Sequence, residues 1–294
     1  MKRDKVKIFD TTLRDGLRNS GATLSLEQKV RVAQQLEQLD VDAIEIGFGG
    51  PLEIESMRSI AEAVTGPVVF GLSRVNRKDM ERVFQGVAQA RKPGINIFIP
   101  TSDSFLTKVR MSRQQALDTA VSAVGYAKER LDHIAFSAQD ASRSDPDYLV
   151  QIFGEVIRAG ATTVSVPDST GQALPRQFGA LYKFLRKHVA NAKTVTWSVH
   201  CHNELGLAVA NSLAAIENGA RQVECTINGI GERAGNTSLE EVVMALRTRE
   251  DAFTKVTTGI VAEQLYATSQ LLSQMTNITV SINKPVVGAN VLRH

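Results

Sequence analysis

Short apolar runs alternate with longer amphipathic stretches along almost the whole 294-residue chain, and this alternation restricts the fold more than any other feature. The short runs have the length and β-branched content of buried strands, and the longer ones have the 3.6-residue period of helices. Strands and helices that alternate in this way are typical of βα units around a parallel sheet. The runs predicted as strands are 6–9, 43–48, 67–72, 95–99, 133–137, 162–166, 195–199 and 222–227.

Eight such strands within about 250 residues are the number and length at which a (β/α)₈ barrel closes. We therefore predict an α/β fold, a TIM barrel over residues 1–253, with outer helices such as 26–39, 113–130 and 239–247. An open, doubly wound sheet is the alternative, but no G-x-G-x-x-G motif follows the first predicted strand. Residues 254–294 break the alternation and are predicted as a short helical extension, with a helix at 263–275, that leads into a linker.

The charge and the apolar content argue against several classes of protein. The formal net charge is only +3, and basic residues are scattered among acidic ones, so we predict no nucleic-acid partner. No stretch approaches the roughly 18 uncharged apolar residues of a membrane span, and the start MKRDKVKIFD lacks the apolar core of a signal peptide. Two cysteines are too few for a disulfide framework. We therefore expect a cytoplasmic protein without a membrane partner.

Two short motifs, far apart in the sequence, carry groups that bind metals. Arg14-Asp15-Gly16 follows the first predicted strand, and His200-Cys201-His202 ends the seventh. Side chains at positions i and i+2 of an extended segment point to the same face, so both imidazoles can reach one cation. Cys201 points to the opposite face and is interpreted as a core residue. With Asp15 at the same end of a neighbouring strand, the two histidines predict an open divalent-metal site.

Polar residues follow the other predicted strands as well, and in a TIM barrel the active site lies at this end of the sheet. The candidates are Arg14, Asp15, Glu45, Arg74, Thr101, Ser102, Gln139, Asp140, Asp168, Ser169, His200, His202, Glu232, Arg233 and Asn236. Taken alone, Arg14 and Asp15 would form a surface ion pair, the histidines would be polar residues of a half-buried strand, and Asn236 would cap a helix. Convergence of the whole set at one end of the barrel favours a site.

Three segments resemble those of a known enzyme family. FDTTLRDG at 9–16, HCHNELGLAVANSLAAIENGARQVECTINGIGERAGN at 200–236 and the following SLEEVVMAL are similar to the 2-isopropylmalate synthase and homocitrate synthase branch of the metal-dependent TIM-barrel acyltransferases and lyases. The resemblance covers nearly the whole chain and is strongest to the catalytic barrel of bacterial 2-isopropylmalate synthases. It implies a condensation that joins acetyl-CoA to a 2-oxo acid and then releases CoA by thioester hydrolysis.

The resemblance also implies roles for individual residues. Asp15, His200 and His202 would bind a divalent metal (Mg²⁺, Mn²⁺ or Zn²⁺), and Asn236 would complete its coordination directly or through water. The metal would chelate the 2-oxo acid and polarise its ketone. Arg14 would stabilise the alkoxide that develops when the enolate of the cosubstrate acetyl-CoA attacks. A homodimer is implied as well.

Further positions are predicted to act on the substrate. Ser169 falls where the family usually has a threonine that binds the carboxylate of the 2-oxo acid, and its hydroxyl keeps that capacity. Arg74 and Thr101, which follow the third and fourth predicted strands, are also predicted to bind substrate. Gln139 falls where the family has a glutamate that orients the catalytic arginine. Its amide can still hydrogen-bond Arg14, but it carries no charge and cannot act as a base.

Other positions depart from the family pattern. The usual Gly-Glu-Gln is Gly16-Leu17-Arg18 here, so a carboxylate is lost and a cation is gained beside the metal. Asp103-Ser104-Phe105 replaces a histidine-containing turn, and Gln172 replaces a tyrosine. We interpret these changes as a change of substrate, so that the 2-oxo acid differs from 2-oxoisovalerate.

Two alternatives stay open at this stage. One is a non-catalytic or truncated metal-binding subunit, since the family's synthases continue past the equivalent of His294 into a segment that supplies a catalytic histidine. The other is a lyase of the hydroxymethylglutaryl-CoA type, because 16–19 is similar to the lyases' Gly-Leu-Gln-Asn; however, 231–235 replaces their catalytic cysteine loop. Arg14 and every implied metal ligand are present, which favours the synthase.

Overall fold

Eight parallel strands close into a barrel in the computed structural model, which describes residues 3–48 and 50–291. A short strand, β1 (Asp4–Lys5), precedes them. The barrel strands are β2 (Lys7–Asp10), β3 (Ala43–Phe48), β4 (Val68–Arg74), β5 (Pro93–Pro100), β6 (His133–Gln139), β7 (Thr163–Asp168), β8 (Thr196–Cys201) and β9 (Gln222–Cys225). Each pairs with the next, and β9 pairs with β2 to close the ring. The predicted TIM barrel is confirmed.

Helices connect the strands, as the 3.6-residue period predicts. Two of them begin with a capping box: Ser25 and Ser112 each accept the N–H of the glutamine three residues later, and that glutamine bonds back to the serine N–H. The helices are α1 (Leu26–Gln38), α2 (Pro51–Ala63), α3 (Arg77–Val87), α4 (Asp103–Lys108), α5 (Arg113–Lys128), α6 (Pro146–Ala159), α7 (Pro175–His188), α8 (Ala208–Glu217), α9 (Leu239–Thr248) and α10 (Leu265–Thr276). None of these described helices is both long and apolar enough to cross a membrane.

The lower interior of the barrel is apolar. Phe9, Ala43, Phe70 and Ala135 are buried together, and the rings of Phe9 and Phe70 lie 4.9 Å apart between centroids. We call these four residues the apolar floor. Burying side chains of this size removes a large apolar area from water, so the floor stabilises the closed ring.

Two residues further along the same strands, the interior becomes polar. Glu45 follows Ala43 on β3, and Ser137 follows Ala135 on β6, as the two-residue period of a strand requires. The buried polar residues at this level are Glu45, Asn96, Ser137, Ser165, Ser198 and Glu224, and we call them the polar layer. This layer lies directly beneath the carboxyl ends of the strands, so it supports the residues found there.

The segment after residue 253 packs on the barrel. Strand β10 (Val256–Thr257) pairs with β1, and Gln35 of α1 donates to Thr268 of α10 over 3.0 Å. Lys284 forms an ion pair with Glu241 of α9 at 2.6 Å. The predicted helix at 263–275 is a 3₁₀ turn, Ala262–Gln264, followed by α10. The division into a domain at 1–253 and an extension at 254–294 stays a prediction, and residues 292–294 lie outside the described residues.

Candidate active site

A tight turn directly after β2 presents Arg14 and Asp15 at the carboxyl end of the barrel. Residues Thr12–Gly16 form one π-helical turn, in which the carbonyl oxygen of Thr11 accepts the N–H groups of Arg14, Asp15 and Gly16. The hydroxyl of Thr12 also accepts the N–H of Ile227, two residues after β9, over 2.9 Å. The turn is therefore fixed to the strand that closes the barrel.

Asp15, His200 and His202 converge above this turn. The Oδ2 atom of Asp15 lies 3.3 Å from Nε2 of His200 and 3.8 Å from Nε2 of His202, and the two Nε2 atoms are 3.3 Å apart. All three residues are buried. The sequence placed their strands side by side, and that detail is wrong: β9 lies between β2 and β8. The loops after the strands bridge this gap.

The chemistry of this cluster fits a divalent cation. A carboxylate oxygen and two imidazole nitrogens are ligand types shared by manganese, zinc and iron sites that keep open positions. Oδ1 of Asn236, whose backbone pairs with that of His202, is buried without a hydrogen-bond partner, and Oδ2 of Asp15 faces the two imidazoles without a well-formed hydrogen bond. Buried acceptors without a donor are costly, and a cation would satisfy them. Nδ2 of Asn236 donates to Ile230, which leaves Oδ1 as the available ligand.

Charge in the cluster favours the protonation state that a cation needs at Asp15 and at His202, but not at His200. Burial would raise the pKa of Asp15, but Arg14 and the histidines hold it below its usual value. Burial, together with His200, lowers the pKa of His202 to about 3, so this ring is neutral and able to ligate. Burial lowers the pKa of His200 as well, but Asp15 and Glu224 outweigh it and raise the value to about 9. Binding a cation at His200 would therefore release a proton.

Glu224 of the polar layer orients His200. Its Oε2 atom lies 3.2 Å from Nδ1 of His200, on the side of the ring away from the cluster. The hydroxyls of Ser165 and Ser198 donate to its Oε1 over 2.6 and 2.8 Å. A carboxylate behind a histidine fixes the tautomer in which the opposite nitrogen can bind metal.

Glu45, rather than Gln139, pairs with Arg14. Nε of Arg14 donates to Oε2 of Glu45 over 2.5 Å, and Nδ2 of Asn96 holds the other oxygen of Glu45 at 2.7 Å. Burial would lower the pKa of Arg14, but Glu45 and Asp15 together raise it above the usual value, so the guanidinium stays charged. Gln139 lines the same cavity. Glu45 therefore compensates the charge of Arg14.

A cavity of about 300 Å³ opens over the cluster, at the small end of the range for ligand pockets. Arg14, Asp15, both histidines, Gln139 and Ser169 line it. The Ser169 hydroxyl accepts the N–H of Asp140 over 2.9 Å, so its own hydrogen remains for a ligand.

Arg74 and Thr101, which were predicted to bind substrate, are not among the described residues that line this cavity. Arg74, the last residue of β4, is 63% exposed at its side chain and turns outward to Asp79, in the first turn of α3, at 2.6 Å. Thr101 is buried and bonded to the carbonyl of Gln139 and the hydroxyl of Ser144. The alternation of strand residues identified the correct end of the barrel, but not which way each end residue turns.

Sequence reasoning gave no role to Glu224 or Asn96 and assigned none to Glu45 beyond its position. A signal was present for the two glutamates, because each is a single charge within an apolar strand, in AIEIGF and QVEC. A charge inside a buried strand must be paired, and it therefore marks a polar site within the barrel.

Comparison with known proteins agrees with this arrangement. A family profile described as HMGL-like matches residues 5–272. The chain belongs to the HMGL-like family. This HMGL-like chain is 50% identical to the 2-isopropylmalate synthase of Dechloromonas aromatica over 290 residues, which are 98% of the chain and 56% of that protein. It is 48% identical to 2-isopropylmalate synthase 1 of Caldanaerobacter subterraneus subsp. tengcongensis, over 99% of the chain and 74% of the relative.

The HMGL-like chain thus spans a little more than half the length of the first of these relatives. Among solved structures, the HMG-CoA lyase of Bacillus subtilis superposes with a TM-score of 0.81 over the full length of both chains, at 19% identity. The carboxyl transferase domain of Rhizobium etli pyruvate carboxylase gives 0.70 at 19% identity, over 92% of this chain and 47% of that one. At such identities the likeness shows the barrel fold alone. The family resemblance found in the sequence is confirmed.

Proposed function

We propose that this chain is the catalytic barrel of an acyltransferase that condenses acetyl-CoA with a 2-oxo acid and releases CoA. The observation that carries the proposal is the convergence of Arg14 with Asp15, His200 and His202 in one cavity. The relatives that are about half identical to this chain are named 2-isopropylmalate synthase, which supports the same reaction class.

The chain's own residues would divide the work as follows. Asp15, His200 and His202 would hold a divalent cation, with Asn236 as a further ligand. A cation bound there supplies Lewis-acid polarisation of a carbonyl group. Arg14, kept charged and fixed by Glu45, would stabilise the negative charge that develops on the ketone oxygen as the acetyl-CoA enolate carbon bonds to the ketone carbon. Water then cleaves the thioester, and CoA leaves as the thiol.

Ser169 and Gln139 would bind the 2-oxo acid. The Ser169 hydroxyl, held by the N–H of Asp140, has its hydrogen available for the carboxylate. Gln139 has a neutral amide, which can donate and accept hydrogen bonds but cannot serve as a base near neutral pH. Its role would be to position the substrate in the cavity that it lines.

The test is thiol release from acetyl-CoA by the purified protein, with and without Mg²⁺ or Mn²⁺. The acids to compare are pyruvate, 2-oxobutyrate, 2-oxoisovalerate, 2-oxoglutarate and oxaloacetate. Metal-dependent release with one acid is the expected result. Silence across the panel from folded, metal-loaded protein would sink the proposal in favour of a non-catalytic or truncated barrel, and acetyl-CoA formation from hydroxymethylglutaryl-CoA would favour a lyase.

The assembly and the cellular location follow from the same proposal. We infer a cytoplasmic homodimer, on the resemblance to the synthases. Light scattering coupled to size-exclusion chromatography should give twice the mass of one chain; a monomer at micromolar concentration would contradict the dimer without affecting the proposed chemistry.

A further inference from the structure

Three arginines line the cavity, and they differ in how firmly they are held. Arg14 bonds Glu45 at 2.5 Å, and Arg233 bonds both Glu204 and the carbonyl of Ser169. Arg18 approaches an acidic group only at 3.8 Å, between its Nε and Oε1 of Glu232. A direct charge-assisted hydrogen bond is about 2.7–2.9 Å long, so this contact is loose.

Glu232 is also shared among several donors. Its Oε1 accepts a hydrogen bond from Asn19 at 3.2 Å, and its Oε2 lies 3.5 Å from Arg233. One carboxylate therefore faces two guanidinium groups and an amide. The side chain of Arg18 is 49% exposed, so it can reorient toward an anion in the cavity without breaking a strong bond.

Arg18 lies on the same side of the chain as the metal-binding carboxylate. The N–H of Arg18 donates to the carbonyl of Asp15 over 3.1 Å, which completes one turn between the two residues. Residues three apart in such a turn share a face. Arg18, Asp15 and Arg14 accordingly line one cavity.

The rest of the cavity limits what can meet Arg18. Leu72 and Phe105 add apolar surface to a lining that is otherwise mostly polar, and the volume of about 300 Å³ suits an acid of a few carbon atoms. Ser169 and the metal-binding cluster already provide for the 2-oxo carboxylate of such an acid.

We propose that Arg18 is a specificity-determining residue that binds a second anionic group, such as a carboxylate, on the side chain of the 2-oxo acid. This inference rests on the proposed function, because that function makes a 2-oxo acid the ligand of the cavity. Arg18 forms a fork with the distal anion, while the 2-oxo end of the acid lies at Ser169 and the metal cluster. Glu232 is displaced from Arg18 and keeps its contact with Arg233.

The first experiment is calorimetric titration of the Mn²⁺-loaded protein with oxaloacetate and 2-oxoglutarate, and with 2-oxobutyrate and 2-oxoisovalerate as monoanionic probes. We expect at least one dianionic acid to bind about ten to a hundred times more tightly than either monoanionic one, the range for one charged hydrogen-bond pair. Arg18→Gln should remove this preference. Equal affinity for both classes, or a preference that survives Arg18→Gln, would overturn the inference.

Matched variants separate this role from a general loss of charge. Arg91→Gln removes an exposed arginine from the turn before β5, at the opposite end of the barrel, and should leave the preference intact. Glu232→Gln removes the competing carboxylate and should tighten binding of the dianionic acid about threefold or more. Weaker dianion binding in Arg91→Gln, or in Glu232→Gln, would count against a specific contact to Arg18.

Acetyl-CoA also carries anionic groups, so its affinity is measured in the same variants. A loss confined to acetyl-CoA in Arg18→Gln would assign the residue to the acyl-CoA and overturn the inference. Thiol release separates the two proposals. Arg18-dependent dianion binding without CoA release would leave this inference standing and reject the proposed function, whereas release with a monoanionic acid, unchanged in Arg18→Gln, would do the reverse.

Discussion

The apolar floor and the polar layer occupy the same barrel, one strand period apart, and they are held together in opposite ways. The rings of Phe9 and Phe70 in the floor pack at a tilt, 4.9 Å apart between centroids, within an apolar cluster. Glu45 of the polar layer is equally buried, but it is bonded to Arg14 and to Asn96. Apolar burial is non-directional, whereas a buried charge must find specific partners. We infer that the floor adds to the stability of the larger apolar core between strands and helices, while the polar layer supports the chemistry above it.

The largest effect should come from the cluster above the polar layer. His202→Ala removes one of the two proposed imidazole ligands, and we expect metal affinity to fall about a thousandfold or more. Equilibrium dialysis with metal analysis measures this. His188→Ala, which changes an exposed histidine at the end of α7, is the matched control and should bind metal as the wild type does. Stoichiometric metal with unchanged affinity in His202→Ala would reject the site.

A substitution in the apolar floor should lower the stability of the protein and leave its metal affinity unchanged. Phe70→Ala leaves a cavity against Phe9, and we expect the free energy of unfolding to fall by about 3 kcal/mol or more. Denaturant titration measures the loss, and metal affinity of the folded variant should be unchanged. Phe105→Ala, at the partly exposed wall of the cavity, should cost about 1 kcal/mol. If Phe70→Ala also weakened metal binding tenfold, floor and site would not be separable.

Titration of Asp10, the last residue of β2, should make the free energy of unfolding depend on pH. Its burial, with a smaller contribution from Glu240, raises its pKa to about 7, although Thr12 donates to it. The unfolded value is near 3.9, so the folded state takes up the proton more readily. Stability from this group is present below about pH 4 and is lost as the pH rises to about 7, by up to about 4 kcal/mol.

Chemical unfolding from pH 4 to 8, with chelator present, measures this dependence in the wild type and in Asp10→Asn. The variant cannot titrate at this position, so the difference between the two curves isolates Asp10. Parallel curves would show that the carboxylate remains charged inside the protein.

The smallest effect concerns the pairing of Arg14. Glu45→Gln keeps the shape but removes the charge, and we expect kcat to fall about 10- to 100-fold with little change in metal affinity. Steady-state kinetics with the acid identified in the thiol-release assay measures it. Gln139→Glu is the companion variant: because Glu45 already pairs with Arg14, it should bring no gain in kcat. A clear gain would mean that Arg14 lacks compensation during turnover.

The sequence was sufficient for the barrel because strand period and strand number are local signals. The prediction of 43–48 as a strand matches β3, and the other strands differ by a few residues at their ends. The partners of Arg14 could not be read in the same way. Whether Glu45 or Gln139 meets its guanidinium depends on the stagger of the strands around the barrel, which is set by closure of the whole ring.

The same limit explains Arg74. Its place at the end of β4 was correctly predicted to be at the carboxyl end of the barrel, but a nearby carboxylate on α3, Asp79, draws it outward. Local ion pairs of this kind are formed between a strand end and the following helix, and strand periodicity does not reveal them.

Pairing of β2 with β9 joins the beginning and the end of the barrel sequence, and the proposed metal cluster lies at this junction. Asp15 follows the first strand of the ring, and His200, His202 and Asn236 come from the last two strands and the loops after them. Contacts of such high sequence separation form slowly, and in a chain emerging from the ribosome they must wait for nearly the whole barrel. A cation that binds only when β2 and β9 are paired would stabilise the closed barrel relative to states in which these two strands are apart. Removal of the cation should therefore increase the rate of amide hydrogen exchange first at Lys7–Asp10, in β2.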